Sequence, residues 1–375
     1  MGSQKVEFLY LSEPEMIKAG VLNVKRCVEV MDETFQLLGK GDYLMGGPDI
    51  DSHGLMIYFP SSSKFPNMPL AGADRRYMAM PAYLGGRFNV TGLKWYGSNR
   101  ANIEKGLPRS ILMLGLNDAD TGAPLAIMSA NLLSAMRTGA VPGVAVKYLA
   151  NKSAENLTII GCGVINRACA RAILENMPNA KKMYLNDIVP EQSAKFAKEL
   201  QAEYNVESVI VDSLEEAIRA ADIISVAASG KQGVYIDPAW LKPGCLLTSS
   251  GAIDLPDKAL LENTVAFDHW PMHKLWLDEA LMHKEGLDVG LAWGATSSAV
   301  LKMLHAGKLD SGKFISLGDL AANSGKTRQC ENEIIIFYSG GLPVEDLSWG
   351  MECYEQAKKL NLGHTDKVWD QPHWR

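Results

Sequence analysis

The chain has 375 residues, 47% of them hydrophobic, with 34 Gly and 17 Pro spread through it and a net charge of -6 at pH 7. That length suits two domains with a sizeable core, and no clustered basic patch is present for a nucleic-acid partner. No apolar run approaches the ~18 residues of a membrane span, the polar first residues are unlike a signal peptide, and Cys27, Cys162, Cys169, Cys245, Cys330 and Cys353 lack the paired spacing of a disulfide frame or zinc site. These features predict a cytoplasmic globular protein with reduced thiols.

In chain order, residues 6–11 form a short strand, and Ser12-Glu13-Pro14-Glu15 marks a helix start with proline in the first turn. A second helix is predicted over 24–38, stopping at Gly39-Lys40-Gly41. Four apolar runs at 55–59, 77–83, 92–96 and 110–117 alternate with turn residues, the pattern of antiparallel strands. Residues 119–124 form a hairpin turn, and 129–149 turns helical.

After Asn156 the rhythm becomes strand, helix, strand, helix. Strands are predicted at 157–160, 182–185, 208–211, 223–228, 245–249 and 264–267, with helices at 164–175, 191–204 and 214–221. Ser213-Leu214-Glu215-Glu216 has capping-box spacing for the last helix. Such alternation implies a parallel sheet wound with helices. From about residue 320 a strand (333–337) and a helix (344–359) return. The fold class expected is therefore α/β: a Rossmann-type parallel sheet domain at 141–319, inserted in a mixed α+β substrate-binding and dimerisation domain built from 1–140 and 320–375.

Residues 157–160 run directly into Gly161-Cys162-Gly163-Val164-Ile165-Asn166. Gly161 suits a tight turn, and Gly163 lets the backbone approach a pyrophosphate held by the N–H groups of the following helix. Asn166 stands where a third Gly or Ala is usual, so packing there must differ. The next strand ends at Asp187, whose carboxylate suits two ribose hydroxyls and repels a 2′-phosphate. Gly161, Gly163, Val164, Ile165, Asn166, Asp187 and Ser229 are the expected cofactor contacts. NAD is expected over NADP, although Lys181 and Lys182 lie nearby in sequence.

Several stretches together resemble the ornithine cyclodeaminase/mu-crystallin family: residues 80–86 (Met-Pro-Ala-Tyr-Leu-Gly-Gly), Leu93-Lys94-Trp95, residues 134–140 (Ser-Ala-Met-Arg-Thr-Gly-Ala), the glycine loop, residues 251–256 (Gly-Ala-Ile-Asp-Leu-Pro) and residues 336–346 ending Val344-Glu345-Asp346. The resemblance implies a homodimer acting on an amino acid or amine, with Lys94 as active-site lysine, Arg137 as carboxylate-binding arginine and Asp254 as the carboxylate near the reacting amine carbon. An iminium cation that develops there is stabilised by a carboxylate, which also shuttles protons. A lysine desolvated near Arg137 has its pKa lowered, and the guanidinium offers a planar fork to a carboxylate. Each has a plainer reading: Asp254 as a loop cap before Pro256, Arg137 as an interface ion pair, Lys94 as a solvated strand residue.

Departures from the pattern matter. Cyclodeaminases carry a glutamate where this chain has Met78, and their upstream arginine has no direct match; Arg75 and Arg76 lie close to Met80, and Lys64 is farther away. Arg76 and Met78 are retained as substrate-side candidates. Residues 56–60, 95–99 and 106–110 resemble a branch of the family named for tyramine oxidase. Three activities follow from the resemblance: cyclodeamination of ornithine with catalytic NAD, net oxidoreduction as an amine or amino-acid dehydrogenase or imine reductase, and non-catalytic ligand binding. His269, His273 and His283 lack metal-ligand spacing and are expected at the surface or behind a site.

Overall fold

Two sequence periods build two kinds of sheet: alternating inward and outward residues give half-buried antiparallel strands, and unbroken apolar runs give parallel strands buried on both faces. The computed structural model describes residues 5–228, 233–292, 295–325 and 327–374. In it the chain forms two units, one from 5–23, 41–137 and 342–374, the other from 24–40 and 138–341.

The first unit is built on β1 (Val6–Leu11), β2 (Tyr43–Met45), β3 (Leu55–Tyr58), β4 (Arg76–Leu84), β5 (Val90–Ser98), β6 (Ser110–Asp118) and β7 (Pro124–Ser129). Its sheet runs from the strand His364–Trp369 through β1, β7, β6, β5 and β4 to β2, with β3 also on β4. β1 and β7 are parallel, and the other ladders are antiparallel. Along β5 the residues Val90, Gly92, Lys94, Tyr96 and Ser98 all face inward. The helix Pro343–Lys359 packs against β4, β5 and β6.

Gly92 is where that helix comes closest. A Cβ there would stand 2.7 Å from Leu347 Cδ2 and 2.4 Å from the Gly115 carbonyl oxygen, so only glycine admits the helix at this depth.

The second unit contains β8 (Asn156–Ile160), β9 (Lys182–Asn186), β10 (Glu207–Ile210), β11 (Ile223–Val226), β12 (Val234–Tyr235), β13 (Leu246–Ser249), β14 (Ile253–Asp254), β15 (Thr264–Phe267), β16 (Ile315–Ser316) and β17 (Ile335–Tyr338). Its main sheet is parallel throughout, in the order β10-β9-β8-β11-β13-β17-β15-β16, and β12 pairs with β14 separately. Strand order reverses at β8, the switch point where a doubly wound sheet opens a ligand crevice. The α/β, Rossmann-type reading of the sequence is what the chain forms.

The domain edges fall elsewhere than expected. The strand predicted at 333–337 belongs not to the outer domain but to the parallel sheet, between β13 and β15. Its residues Ile335, Ile336, Phe337 and Tyr338 are all buried, as a central parallel strand requires. The helix Val24–Lys40 also groups with the second unit. It lies so close to the helix Leu317–Ala321 that a Cβ on Gly39 would meet the Gly318 carbonyl at 2.1 Å. The helix Asn131–Leu149 carries the division at Arg137/Thr138.

Beyond that division, Gly139 and Gly143 face the helix Val164–Glu175. Added Cβ atoms would stand 2.5 Å from Ala168 and 2.6 Å from the Ala172 carbonyl. Gly143→Val therefore overpacks this crossing and is expected to cost about 1–3 kcal/mol. A lower urea midpoint with an unchanged m-value is the result to look for.

Candidate functional site

Lys94 holds an inward position on β5, between Met80 on β4 and Leu114 on β6. It is only 2% exposed, so it is not a solvated strand residue. Its ammonium donates to Asp346 Oδ2 at 2.5 Å and lies 3.5 Å from Ser134 Oγ. Arg137 is also buried; its Nε donates to Asp346 Oδ1 at 2.9 Å and its Nη1 to Glu345 at 2.6 Å. Two cations and two carboxylates thus share one buried cluster within the first unit.

Local sequence explains why the acids sit there. Pro343 starts the helix Pro343–Lys359, and Glu345 and Asp346 occupy its first turn, where the helix dipole favours negative charge. Gly92 lets that turn approach β5, and Lys94 is the next inward residue. The resemblance points to Lys94 and Arg137; it gives Glu345 and Asp346, within the 336–346 stretch, no role of their own. No local signal names Asp346 as a partner for a lysine 252 residues away.

Burial drives the Lys94 pKa down to about 8; the Arg137 charge adds to the fall, and Asp346 opposes it. Burial also acts against the Arg137 cation, but Asp346 and Glu345 outweigh it and keep the guanidinium charged. Lys94 is therefore a buried amine able to give or take a proton near neutral pH, beside a permanent cation.

Next along the same face come Met78 and Tyr96, paired across β4 and β5. Met78 is 1% exposed, and its sulfur accepts the Tyr96 hydroxyl at 3.0 Å. Arg76 lies one step further, ion-paired to Asp74, with its guanidinium 5.7 Å from the Tyr96 ring centroid.

In the second unit, Gly161 ends β8 at φ +85°, a conformation that glycine adopts without strain. Gly163 caps the helix Val164–Glu175 at φ -76°, which any residue tolerates, yet an added Cβ there meets nothing within 4 Å. The protein leaves that space open at a helix N-terminus, which suits a pyrophosphate. Asp187 takes the Cys162 N–H at 2.6 Å and the Val189 N–H at 2.8 Å, which fixes its carboxylate beside the glycine turn. These residues fit a dinucleotide. Val164 is exposed and Ile165 half-buried at the first helical turn.

Asn166 differs from its expected role as a cofactor contact. Its side chain is fully buried; it donates to the carbonyls of Ile160, Gly161 and Ser225 and accepts the Ser225 hydroxyl. It ties the glycine turn to β11 from beneath, which a third glycine could not do. Lys181 and Lys182 lie at the opposite end of β9 from Asp187 and pair with Glu155 and Glu207.

Asp254 is exposed on β14. The turn before it approaches the glycine loop: added Cβ atoms on Gly161 and Gly251 would each meet Ala228, at 3.1 Å and 3.0 Å. Ser229 lies outside the described residues. His273 is not at the surface: it is fully buried, between Asp268 at 2.8 Å and Ser297 at 2.7 Å. Asp268 in turn accepts the backbone N–H groups of Gly340 and Gly341.

The model of the ornithine cyclodeaminase/mu-crystallin family matches residues 21–361. The chain is 27% identical to N-((2S)-2-amino-2-carboxyethyl)-L-glutamate dehydrogenase of Staphylococcus aureus, over 96% of this chain and 98% of that one. It is 31% identical to alanine dehydrogenase of Archaeoglobus fulgidus, over 77% and 83%. Among solved structures, Delta(1)-pyrroline-2-carboxylate reductase of Thermococcus litoralis, in complex with NADH and L-proline, matches with a TM-score of 0.77 and 28% identity, covering 95% of this chain and 99% of that one.

Asp346→Asn leaves two buried cations facing one acid and is expected to cost about 3–5 kcal/mol. Because Lys94 can shed its proton, that deficit shrinks as pH rises. In the parent chain, Lys94 is depressed when folded, so its unfolded form holds the extra proton between about 8 and the ordinary lysine value. Stability from this group therefore rises with pH through that window. Urea unfolding of both proteins below and above pH 8 checks both signs.

Proposed function

Because the chain belongs to the ornithine cyclodeaminase/mu-crystallin family, we propose that it is an NAD-dependent enzyme performing net oxidoreduction at the C–N bond of an amino acid, through an imine. Met78 carries the choice of net oxidoreduction over cyclodeamination. At the position where cyclodeaminases hold a glutamate for the substrate's amines, this chain presents a buried thioether bonded to Tyr96, within an apolar cluster of Met78, Met80 and Tyr96. A side-chain ammonium finds no counter-charge on that stretch. The relatives described above are named for alanine, pyrroline-2-carboxylate and an aminocarboxyethyl glutamate, and the same class of α-amino acid fits here.

Bound NAD would accept hydride from the substrate carbon, or bound NADH would deliver it to the imine carbon in the reverse direction. Arg137 spends Nε and Nη1 on Asp346 and Glu345, and its Nη2, 3.5 Å from Ser134 Oγ, is the donor left for the α-carboxylate. Lys94, with its pKa near 8, moves a proton at the substrate nitrogen or at the water that adds to the imine. Asp254 stabilises the positive charge that develops on that nitrogen. Val164, Ile165 and the N–H groups around Gly163 receive the pyrophosphate, and Asp187 receives the ribose.

Homodimer assembly and a cytoplasmic location belong to this reading. Among the described residues, no helix is long and apolar enough to cross a membrane. The outward face of the first unit carries Ile57, Tyr77 and Ile111 in one row across β3, β4 and β6, 58%, 42% and 49% exposed. An apolar row of this kind suits a second copy of the chain.

The test follows NADH absorbance and ammonia together. Stoichiometric NADH from an α-amino acid, or NADH consumption by a cyclic imine acid, is the expected result. Ammonia from L-ornithine without NADH accumulation would establish cyclodeamination and overturn the role given to Met78. Gly163→Leu fills the open space and is expected to weaken NAD binding more than about tenfold at unchanged melting temperature. Asp187→Ser is expected to narrow the preference for NAD over NADP, read from the ratio of the two dissociation constants.

A further inference from the structure

The inward face of β4, β5 and β6 is organised in rows. Met80, Lys94 and Leu114 form one, Met78, Tyr96 and Leu112 the next, and Arg76, Ser98 and Ser110 the third. The face therefore has a charge-balanced end where Lys94 and Arg137 meet Asp346 and Glu345, an apolar middle of Met78, Met80 and Tyr96 with Met56 and Leu112 packed on it, and a second end with excess cation at Arg76. Arg109, just before β6, joins that second end.

The two ends differ in charge balance. At the first, Lys94 and Arg137 meet two carboxylates, Glu345 and Asp346. At the second, Arg76 and Arg109 share the single carboxylate of Asp74, one oxygen of which also accepts the Ser98 hydroxyl at 2.6 Å. The charges of Arg76 and Arg100 both bear on Arg109. Arg76 also holds its Nε buried with no hydrogen-bond partner among the described residues, and a buried donor left so is costly. An anion supplies what this end lacks.

The spacing suits one molecule. Lys94 Nζ and the Arg76 guanidinium lie 6.0 Å and 5.7 Å from the centroid of the same Tyr96 ring. Both cations thus flank one aromatic ring, beside the buried thioethers of Met78 and Met80, a separation that an amino acid with two carboxylates could span.

We propose that the substrate is an acidic amino acid whose aliphatic side chain ends in a second carboxylate, received by Arg76 and Arg109. This deepens the reading above and rests on it, since Lys94 and Arg137 must hold the α-amino-acid end. Arg76 and Arg109 then set specificity, and the apolar floor sets side-chain length.

Calorimetric titration of the NADH-bound protein with L-alanine, L-glutamine, L-glutamate and L-2-aminoadipate tests this. Glutamate or aminoadipate should bind about 10- to 100-fold tighter than glutamine, the range for charge-assisted hydrogen bonds. Glutamine binding as tightly as both acids would overturn the proposal and leave Arg76, Asp74 and Arg109 as a structural ion-pair knot. If alanine binds and the acids gain nothing, only this inference falls. If none of the four binds, the role given to Lys94 and Arg137 falls with it. Arg109 is half-exposed, so Arg109→Glu should fold; it is expected to shift preference from L-glutamate towards L-ornithine. A variant that still prefers glutamate would also overturn the proposal.

Discussion

The ammonium of Lys94 is buried, and a buried ammonium persists only if an anion is brought to it. Much of the first unit follows from that constraint. Asp346 must stand within hydrogen-bond reach, so the first turn of the helix Pro343–Lys359 must press onto β5. Gly92 has no side chain because that turn occupies the space. Glu345 comes with Asp346 on the same turn and takes up the second cation, Arg137. Removing one member leaves another without its counter-charge, and so four residues from three parts of the chain behave as one group. The same arrangement that satisfies the charges also holds a lysine near its titration point.

The second unit solves a different problem, holding a glycine turn open at the start of a helix. Its central strands β8 and β11 are buried on both faces, and the parallel ladder carries β9 alongside β8. Asn166 then ties the glycine turn to Ser225 from inside, and Asp187 ties it from the end of β9. The turn is held on two sides and open on the third, at Gly163.

What was legible in the sequence was what is local. The strand-turn-helix around Gly161 and Gly163, the acid following β9, the apolar runs of β4, β5 and β6 between turn residues and the helix of residues 164–175 all declare themselves within a few residues. Order in a sheet does not: residues 335–338 are an apolar run that fits either unit, and only pairing with β13 and β15 assigns them. The Asp346 partner of Lys94 was hidden for the same reason, because no short-range pattern relates residues so far apart. For His273 the sequence left surface and second-layer positions open, and Asp268 and Ser297, which take both ring nitrogens, place it in the core. Asn166 looked like a departure from a glycine pattern and is a clamp. Arg109 falls in the 106–110 stretch that resembles one branch of the family, but that stretch gives no hint of Asp74, the carboxylate it shares with Arg76.

The interleaving of the two units has a consequence for how the chain is made. On the ribosome, β4, β5 and the start of the helix Asn131–Leu149 emerge with Lys94 and Arg137, long before Glu345 and Asp346 exist. β1 likewise has β7 available early but waits for the strand His364–Trp369 to cover its other edge. Throughout synthesis of the second unit, then, the nascent first unit holds two cations facing an apolar sheet with no counter-charge. The parallel sheet in turn lacks β17, the strand that joins β13 to β15, until residue 338 has emerged. A chain interrupted before residue 335 has its parallel sheet divided between β13 and β15 and lacks the carboxylate that Lys94 meets in the finished protein.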